Sequence, residues 1–290
     1  MRSTLQHLSK LIVKYVLKKS ILASNKERGE RSIYEMLPSI VPNITKHFSS
    51  VEIDESDSFL NDHIRCQHAF QIKLVLKAID RLAPKIDSHI NIVDIGDSSG
   101  THLTYINALL RNKRLKVSTL SVNLDPIAVD KIKAKGLNAL RCRAEELHMI
   151  EGGMEADIFL SFEMLEHLVD PITFLHALAT HGKCKYFILT VPYLKKSRIG
   201  LHQLRRETKG EMNAENTHIF ELCPDDWNLL FTFCGWERIH ADIFTLYPKR
   251  SILNMSKYIW RALSFEGYYG VILKQNTTVS QLYKAWRSFL

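Results

Sequence analysis

The chain has 290 residues, 46% of them hydrophobic and 24% charged, the composition of a globular protein with enough apolar material for a sizeable core. Its net charge of +8 is lopsided: residues 1–31 carry eight Lys or Arg against two Glu, so the rest is nearly balanced. That distribution does not support a broadly basic nucleic-acid-binding surface, and DNA is not an expected partner. No apolar run reaches 18 residues, so no membrane span is predicted. Lysines interrupt the N-terminal apolar segment, which therefore lacks a signal-peptide layout. Five cysteines, odd in number and without a CxxC pair, point to reduced thiols in a cytoplasm rather than disulfides or a zinc knuckle. The thirteen histidines form no HExxH or HxH pair, and no metal site is expected.

In chain order, residues 4–22 place Leu5, Leu8, Ile12 and Val16 on one helical face and Lys10, Lys14 and Lys18 on another. Such a helix packs on its own domain or a partner, or lies on an anionic membrane surface, giving a cytoplasmic protein with peripheral membrane contact as one expectation. Residues 23–60 are mixed and polar, broken by Pro38 and Pro42. A second helix is predicted over 62–82, stopped by Pro84. From residue 90, β-branched runs at 90–95, 116–122, 137–142, 156–161 and 185–191 alternate with helical stretches at 100–112, 126–135 and 170–181. A basic insertion covers 193–217, a helix is predicted at 224–234, and GWERIHADIF and YYGVILK read as two further strands. This alternation predicts an α/β fold, a doubly wound, mostly parallel seven-stranded sheet. Residues 1–85 form a helical extension or cap, 86–275 the Rossmann-like domain, and 276–290 a C-terminal helix or tail.

The stretch NIVDIGDSSGTH (91–102) runs from a strand into a helix, where the first βα loop of such a sheet brings backbone close to a ligand. A dinucleotide fingerprint would need glycines at 96, 98 and 101, but Ser98 and Thr101 stand at two of these positions. Asp94, two residues before Gly96, suits a cationic ligand better than a pyrophosphate. The alternative is that Asp97, Ser98 or Ser99 only caps the next helix.

Further along stands Asp157-Ile-Phe-Leu-Ser161-Phe-Glu163-Met-Leu-Glu166-His167-Leu-Val-Asp170-Pro171. With the glycine loop, this block resembles the class I S-adenosylmethionine-dependent methyltransferases, in particular the branch with an LSFExLEHLxDP motif, over residues 90–240. The resemblance implies S-adenosyl-L-methionine as cofactor. It places Asp94, Gly96, Ser98 and Gly100 around the methionine part, Asn123 at the ribose, Leu124 against the adenine, and Ala144 and Glu145 near the adenine amine. Phe162 and Glu163 complete the implied cofactor residues. Ser98, Asn123 and Arg143 depart from the family pattern, which has glycine at the first position and acids at the other two.

Methyl transfer is an in-line displacement that needs a base only when the acceptor must lose a proton. His167, and His218 in NTHIF, are the candidate catalytic residues; Glu163 and Glu166 orient a histidine or cap the following segment. An (Asp/Asn)-Pro-Pro-(Tyr/Phe) loop, associated with amide and adenine methylation, is missing after the fourth strand. The acceptor expected is a small molecule or a glycan or lipid-linked precursor, methylated at oxygen; Lys195, Lys196, Arg198, Arg205, Arg206 and Lys209 favour an anionic one. A non-catalytic cofactor-binding module and an RNA methyltransferase are the alternatives.

Overall fold

A computed structural model of the chain describes residues 2–44, 54, 56–82, 89–111, 115–150 and 155–288, with the side chains of 2–9, 82, 287 and 288 left aside. The stop at Pro84, the apolar face at Leu5 and Leu8, the 85/86 boundary and the last two residues lie outside what is described.

Seven strands form one sheet in the order β3-β2-β1-β4-β5-β9-β8: β1 (His89–Ile95), β2 (Lys116–Asn123), β3 (Ala139–Arg141), β4 (Ile158–Phe162), β5 (Tyr186–Pro192), β8 (Trp236–Thr245) and β9 (Gly267–Gln275). β9 is antiparallel to both neighbours, so the other six strands share one direction. The predicted mostly parallel sheet is present. β3 keeps only three residues of the predicted 137–142 run.

Alternate side chains feed two cores, as both-face coverage requires. Ile92, Leu160, Ile188 and Ile272 face one way, onto α3 (Ser58–Leu82) and α4 (Thr101–Arg111). Val93, Phe159, Leu189 and Val271 face the other, onto α6 (Pro171–Thr180) and α8 (Pro224–Cys234). α5 (Pro126–Ala134) starts on the Asp125 side chain, which accepts from Ile127 N.

The N-terminal helices belong to the first of these cores. Leu17 and Ile21 of α1 (Arg2–Glu27) are buried in the same cluster as Phe70, Ile72 and Ile92. Ser20 Oγ donates to Leu246 O at 2.8 Å, and the Glu27 carboxylate accepts from Lys249 N and Arg250 N. From residue 17 onward α1 therefore packs on its own domain. Residues 23–60 hold an unpredicted helix, α2 (Arg31–Ile40), with Pro38 inside it. The proline sits in the last turn, so it removes only one terminal bond from a helix whose Leu37 is fully buried. Among the described residues no helix is long and apolar enough to cross a membrane.

Candidate functional site

The parallel strands end together at one edge, where β1, β2 and β4 carry the glycine loop, Asn123 and the Glu163–His167 segment. Asp97 governs the loop. Its Oδ1 accepts from Ser99 N (3.1 Å) and Gly100 N (2.7 Å), and its Oδ2 accepts from the Ser121 hydroxyl (2.7 Å). The capping alternative thus has its residue, and it leaves Gly96 and Ser98 as the half-exposed positions of the loop. Gly96 has φ +91°, and a Cβ there would lie 2.5 Å from Met164 Cγ, so the loop can lie under the Met164 side chain only as glycine.

Asp94 is buried, and its Oδ2 has no hydrogen-bond partner among the described residues. Burial, and then the charge of Asp97, push its carboxyl well above the usual range. His102 Nδ1 lies 3.8 Å from that oxygen, while His102 Nε2 meets Gln71 Oε1 at 2.9 Å. Gln71 in turn donates to the Thr190 hydroxyl at 3.0 Å, tying α3 and α4 to the end of β5. Neither Gln71 nor His102 stood out in the sequence, although His102 follows the glycine loop by two residues.

The adenosine side is partly engaged internally. Asn123 Nδ2 donates to Asp97 O (2.9 Å) and its Oδ1 accepts from Asp125 N (2.8 Å), leaving one amide hydrogen. Leu124 beside it is 44% exposed. Ala144 and Glu145 open a 3-10 turn, Ala144–Met149, and Arg143 lies 3.6 Å from Glu145 and 3.8 Å from Glu146. The cation at the position of the family's acid is thus balanced by carboxylates of its own turn.

Across Met164 stands the second half of the edge. Phe162 ends β4 with its ring 4.8 Å from that of His102. Glu163 follows with φ +52°, a left-handed conformation costing a non-glycine residue about 1 kcal/mol. Its Oε1 is sealed from solvent without a partner, and burial pushes its carboxyl up to about 8. Glu166 is fully buried, and neither carboxylate oxygen meets another side chain among the described residues; burial, and then the neighbouring Glu163, hold its carboxyl well above the usual range.

His167 and His218, far apart in sequence, come together with ring centroids 4.7 Å apart and planes at 87°. The joint is a backbone bond from Ile219 N to Glu166 O at 2.6 Å. His167 Nδ1 lies 3.1 Å from Thr217 O; burial, then the nearby His218, lower its imidazole to about 4. His218 Nδ1 lies 3.1 Å from Glu221 Oε1, which also meets His202 Nε2 at 2.9 Å, while Arg198 Nε donates to Glu221 Oε2 at 2.5 Å. Burial alone would raise Glu221, but the bonds from His218, Arg198 and His202 bring it down to about 2.

The insertion is organised around this joint. β6 (Arg198–Ile199) pairs with β7 (Phe220–Glu221), and α7 (His202–Arg205) follows β6. A Cβ on Gly200 would lie 2.3 Å from His218 O, so the close approach of these strands needs glycine there. Of the six basic residues in the insertion, Arg198 binds Glu221, and Arg205 Nε donates to Ile199 O and Gly200 O. Both hold the insertion together; Lys196, Arg206 and Lys209 remain exposed.

No protein-family model matches the sequence, and no curated protein matches it. Solved structures do. A protein from Galdieria sulphuraria, assigned as a sarcosine dimethylglycine methyltransferase, superposes with a TM-score of 0.51 at 11% identity, over 86% of this chain and 98% of its own. An S-adenosylmethionine-dependent methyltransferase of Archaeoglobus fulgidus gives 0.44 at 16% identity, over 70% and 94% of the two chains. Another from Mesorhizobium loti gives 0.46 at 11%, over 68% and 96%. The strand order and the first of these likenesses identify the architecture as the Rossmann-like fold of the class I methyltransferases.

Proposed function

We propose that this chain is an S-adenosylmethionine-dependent methyltransferase acting on an oxygen of a small molecule or of a glycan or lipid-linked precursor. One observation carries the reading: a buried Asp94 carboxyl oxygen with no hydrogen-bond partner among the described residues and the His167–His218 ring pair, 4.7 Å apart, lie at the same strand edge. When bound, S-adenosylmethionine supplies a methyl group on a cationic sulfur. Asp94 suits its positive charges, Gly96 and Ser98 offer the open face of the loop, and Leu124 gives apolar surface for the adenine. Phe162 and Glu163 bound the methionine side, and Ala144 and Glu145 the adenine side.

The choice of oxygen follows from protonation. A hydroxyl must lose its proton as it is methylated, whereas a neutral amine brings its own lone pair. At neutral pH the His167 imidazole is uncharged, and His167 and His218 are the groups that handle the acceptor hydroxyl. Calorimetry with S-adenosylmethionine tests the reading first: saturable binding is expected, weakened about tenfold or more in Asp94→Ala. Absence of heat at millimolar cofactor would sink it. Labelled methyl from the cofactor, traced into extracted metabolites, then identifies the acceptor.

We further infer peripheral contact with an anionic membrane, favoured by Leu11, Ile12 and Tyr15, exposed at 51%, 56% and 61% beside Lys10 on α1 ahead of the buried Leu17. Vesicles containing phosphatidylserine should float the wild type and release Ile12→Glu; equal flotation would dismiss the contact.

A further inference from the structure

We propose that the exposed face of residues 249–263 docks on an anionic lipid bilayer beside the front of α1. The segment follows β8 and passes through a 3-10 turn (Ile252–Ser256) into α9 (Lys257–Ala262). Ile252, Met255 and Tyr258 are 85%, 58% and 57% exposed. They recur every third residue, which lines them up on one face of a 3-10 turn continuing into an α-helix. Ser256 and Trp260, each 3% exposed, face inward. The segment thus buries one side in the domain and presents a second apolar row to solvent.

Charge says what covers that row. No Asp or Glu stands between residues 243 and 265, whereas Lys249, Arg250, Lys257 and Arg261 do. Arg261 Nε donates to Glu266 at 3.0 Å, so its charge is answered within the fold. Lys249 and Arg250 are exposed, and Lys257 Nζ lies 5.2 Å from the centre of the Tyr258 ring. A nucleic acid would take up the cations and give Ile252 and Met255 nothing to pack on. Anionic headgroups above acyl chains take up both, and a Lys–Tyr pair suits the boundary between them.

The segment runs beside α1. The Glu27 carboxylate accepts from Lys249 N and Arg250 N, and two turns earlier in α1 Ser20 Oγ lies 2.6 Å from Ser256 Oγ. α1 has the same makeup: no acid over residues 2–26, and Lys19 Nζ 5.4 Å from the centre of the Tyr15 ring. The docking face therefore extends the bilayer contact inferred for α1, on residues of its own.

The inward side of α9 leads toward the site. The Trp260 ring is stacked with that of Phe59 at 6.3 Å and edge-on to that of His63 at 6.0 Å. His63 Nε2 lies 2.9 Å from Tyr268 Oη, and Tyr268 pairs with Pro192 at the end of β5. α9 stands between the docking face and this strand end, a placement that favours the lipid-linked acceptor among those proposed above. Only that preference rests on the methyltransferase reading; docking does not.

The test floats the full chain with phosphatidylcholine vesicles that contain or lack phosphatidylserine. Binding is expected with phosphatidylserine, about tenfold or more weaker without it. The double substitution Ile252→Glu with Met255→Glu, at exposed positions, should weaken binding about tenfold or more and leave the circular dichroism spectrum unaltered. Equal flotation of that variant and the wild type would overturn the face and leave the α1 contact standing. Release of that variant while Ile12→Glu still floats would keep the face and dismiss the α1 contact. No flotation of the wild type at millimolar lipid would overturn both, and equal flotation on vesicles without phosphatidylserine would overturn the anionic surface. A lipid-free dimer that the double substitution dissociates, seen by sedimentation, would give the face to a second copy of the chain instead.

Discussion

At the carboxyl end of β1, the loop answers nearly all of its own polar groups; at the end of β4, the chain leaves them open. Asp97 alone holds two backbone amides and a hydroxyl, and only Asp94 Oδ2 is left without a partner in that half. Beyond Met164, Glu163 Oε1 and both oxygens of Glu166 have no partner in another side chain among the described residues, and Glu163 is held in a left-handed conformation. Buried polar groups are ordinarily satisfied. A preformed loop next to an unsatisfied cluster separates two tasks: one half is built to keep its shape, the other to gain stability from what binds it.

The contrast can be broken most forcefully at Asp97. Asp97→Ala strips three hydrogen bonds from a buried turn and should cost about 3–4 kcal/mol, lowering the thermal midpoint by roughly 6–16 °C. A midpoint unchanged within 2 °C would mean, on the same scaling of roughly 2–4 °C per kcal/mol, that the loop does not depend on this cap. The unsatisfied half should appear in the pH dependence of stability. The imidazoles of His63, His102 and His167 are lowered by burial to about 4, 3 and 4, so the unfolded chain binds more protons below about 6.5, and stability falls as pH drops from there. Glu163 works the other way. Raised to about 8, it keeps its proton when the unfolded chain has lost it, so its contribution falls between about 4.5 and 8. Asp94 and Glu166, whose carboxyls are also raised, act in the same direction, so stability should fall as pH rises above about 6.5, where the histidines no longer contribute, and Glu163→Gln should flatten that slope in part; an unaltered slope by chemical denaturation would remove Glu163 as a contributor.

Glu166→Gln sharpens the comparison: replacing a buried carboxyl group with a neutral amide should raise stability at pH 8 by about 1–2 kcal/mol, read by chemical denaturation. A loss of stability would show that the carboxylate has an undetected partner in the apo protein. The smallest change is expected at Ser98→Gly, which restores the family's glycine at a half-exposed position. Cofactor affinity should stay within about threefold and stability within about 1 kcal/mol, by calorimetry and thermal melts.

The sheet was legible because β-branched runs and helical periods alternate strongly from residue 90 onward. The N-terminal region was less so: Pro38 reads as a break, yet α2 continues through it because the buried Leu37 holds the last turn. In the site, position told more than bonding did. Asn123 stands at the end of β2 as expected, but its amide is engaged by the loop and by Asp125. His167 and His218 were each singled out, and the contact between them, made by the backbone of Glu166 and Ile219, follows from tertiary pairing that no local pattern carries. Arg198 and Arg205 read as free charge for an anionic acceptor, but in the folded chain they brace the insertion.

The two-stranded clamp at the base of that insertion has an evolutionary consequence. Gly200 N donates to Ile219 O at 2.9 Å and Leu201 N to His218 O at 2.7 Å, fixing His218 from both sides. Beyond the clamp, the Asn213 and Asn216 side chains bond within their own turn, and residues 204–211 are exposed. The tip can thus gain, lose or exchange residues while the imidazole stays in place. The position of His218 and the sequence of the tip are thus separable, so substitutions can accumulate at the tip without displacing the imidazole.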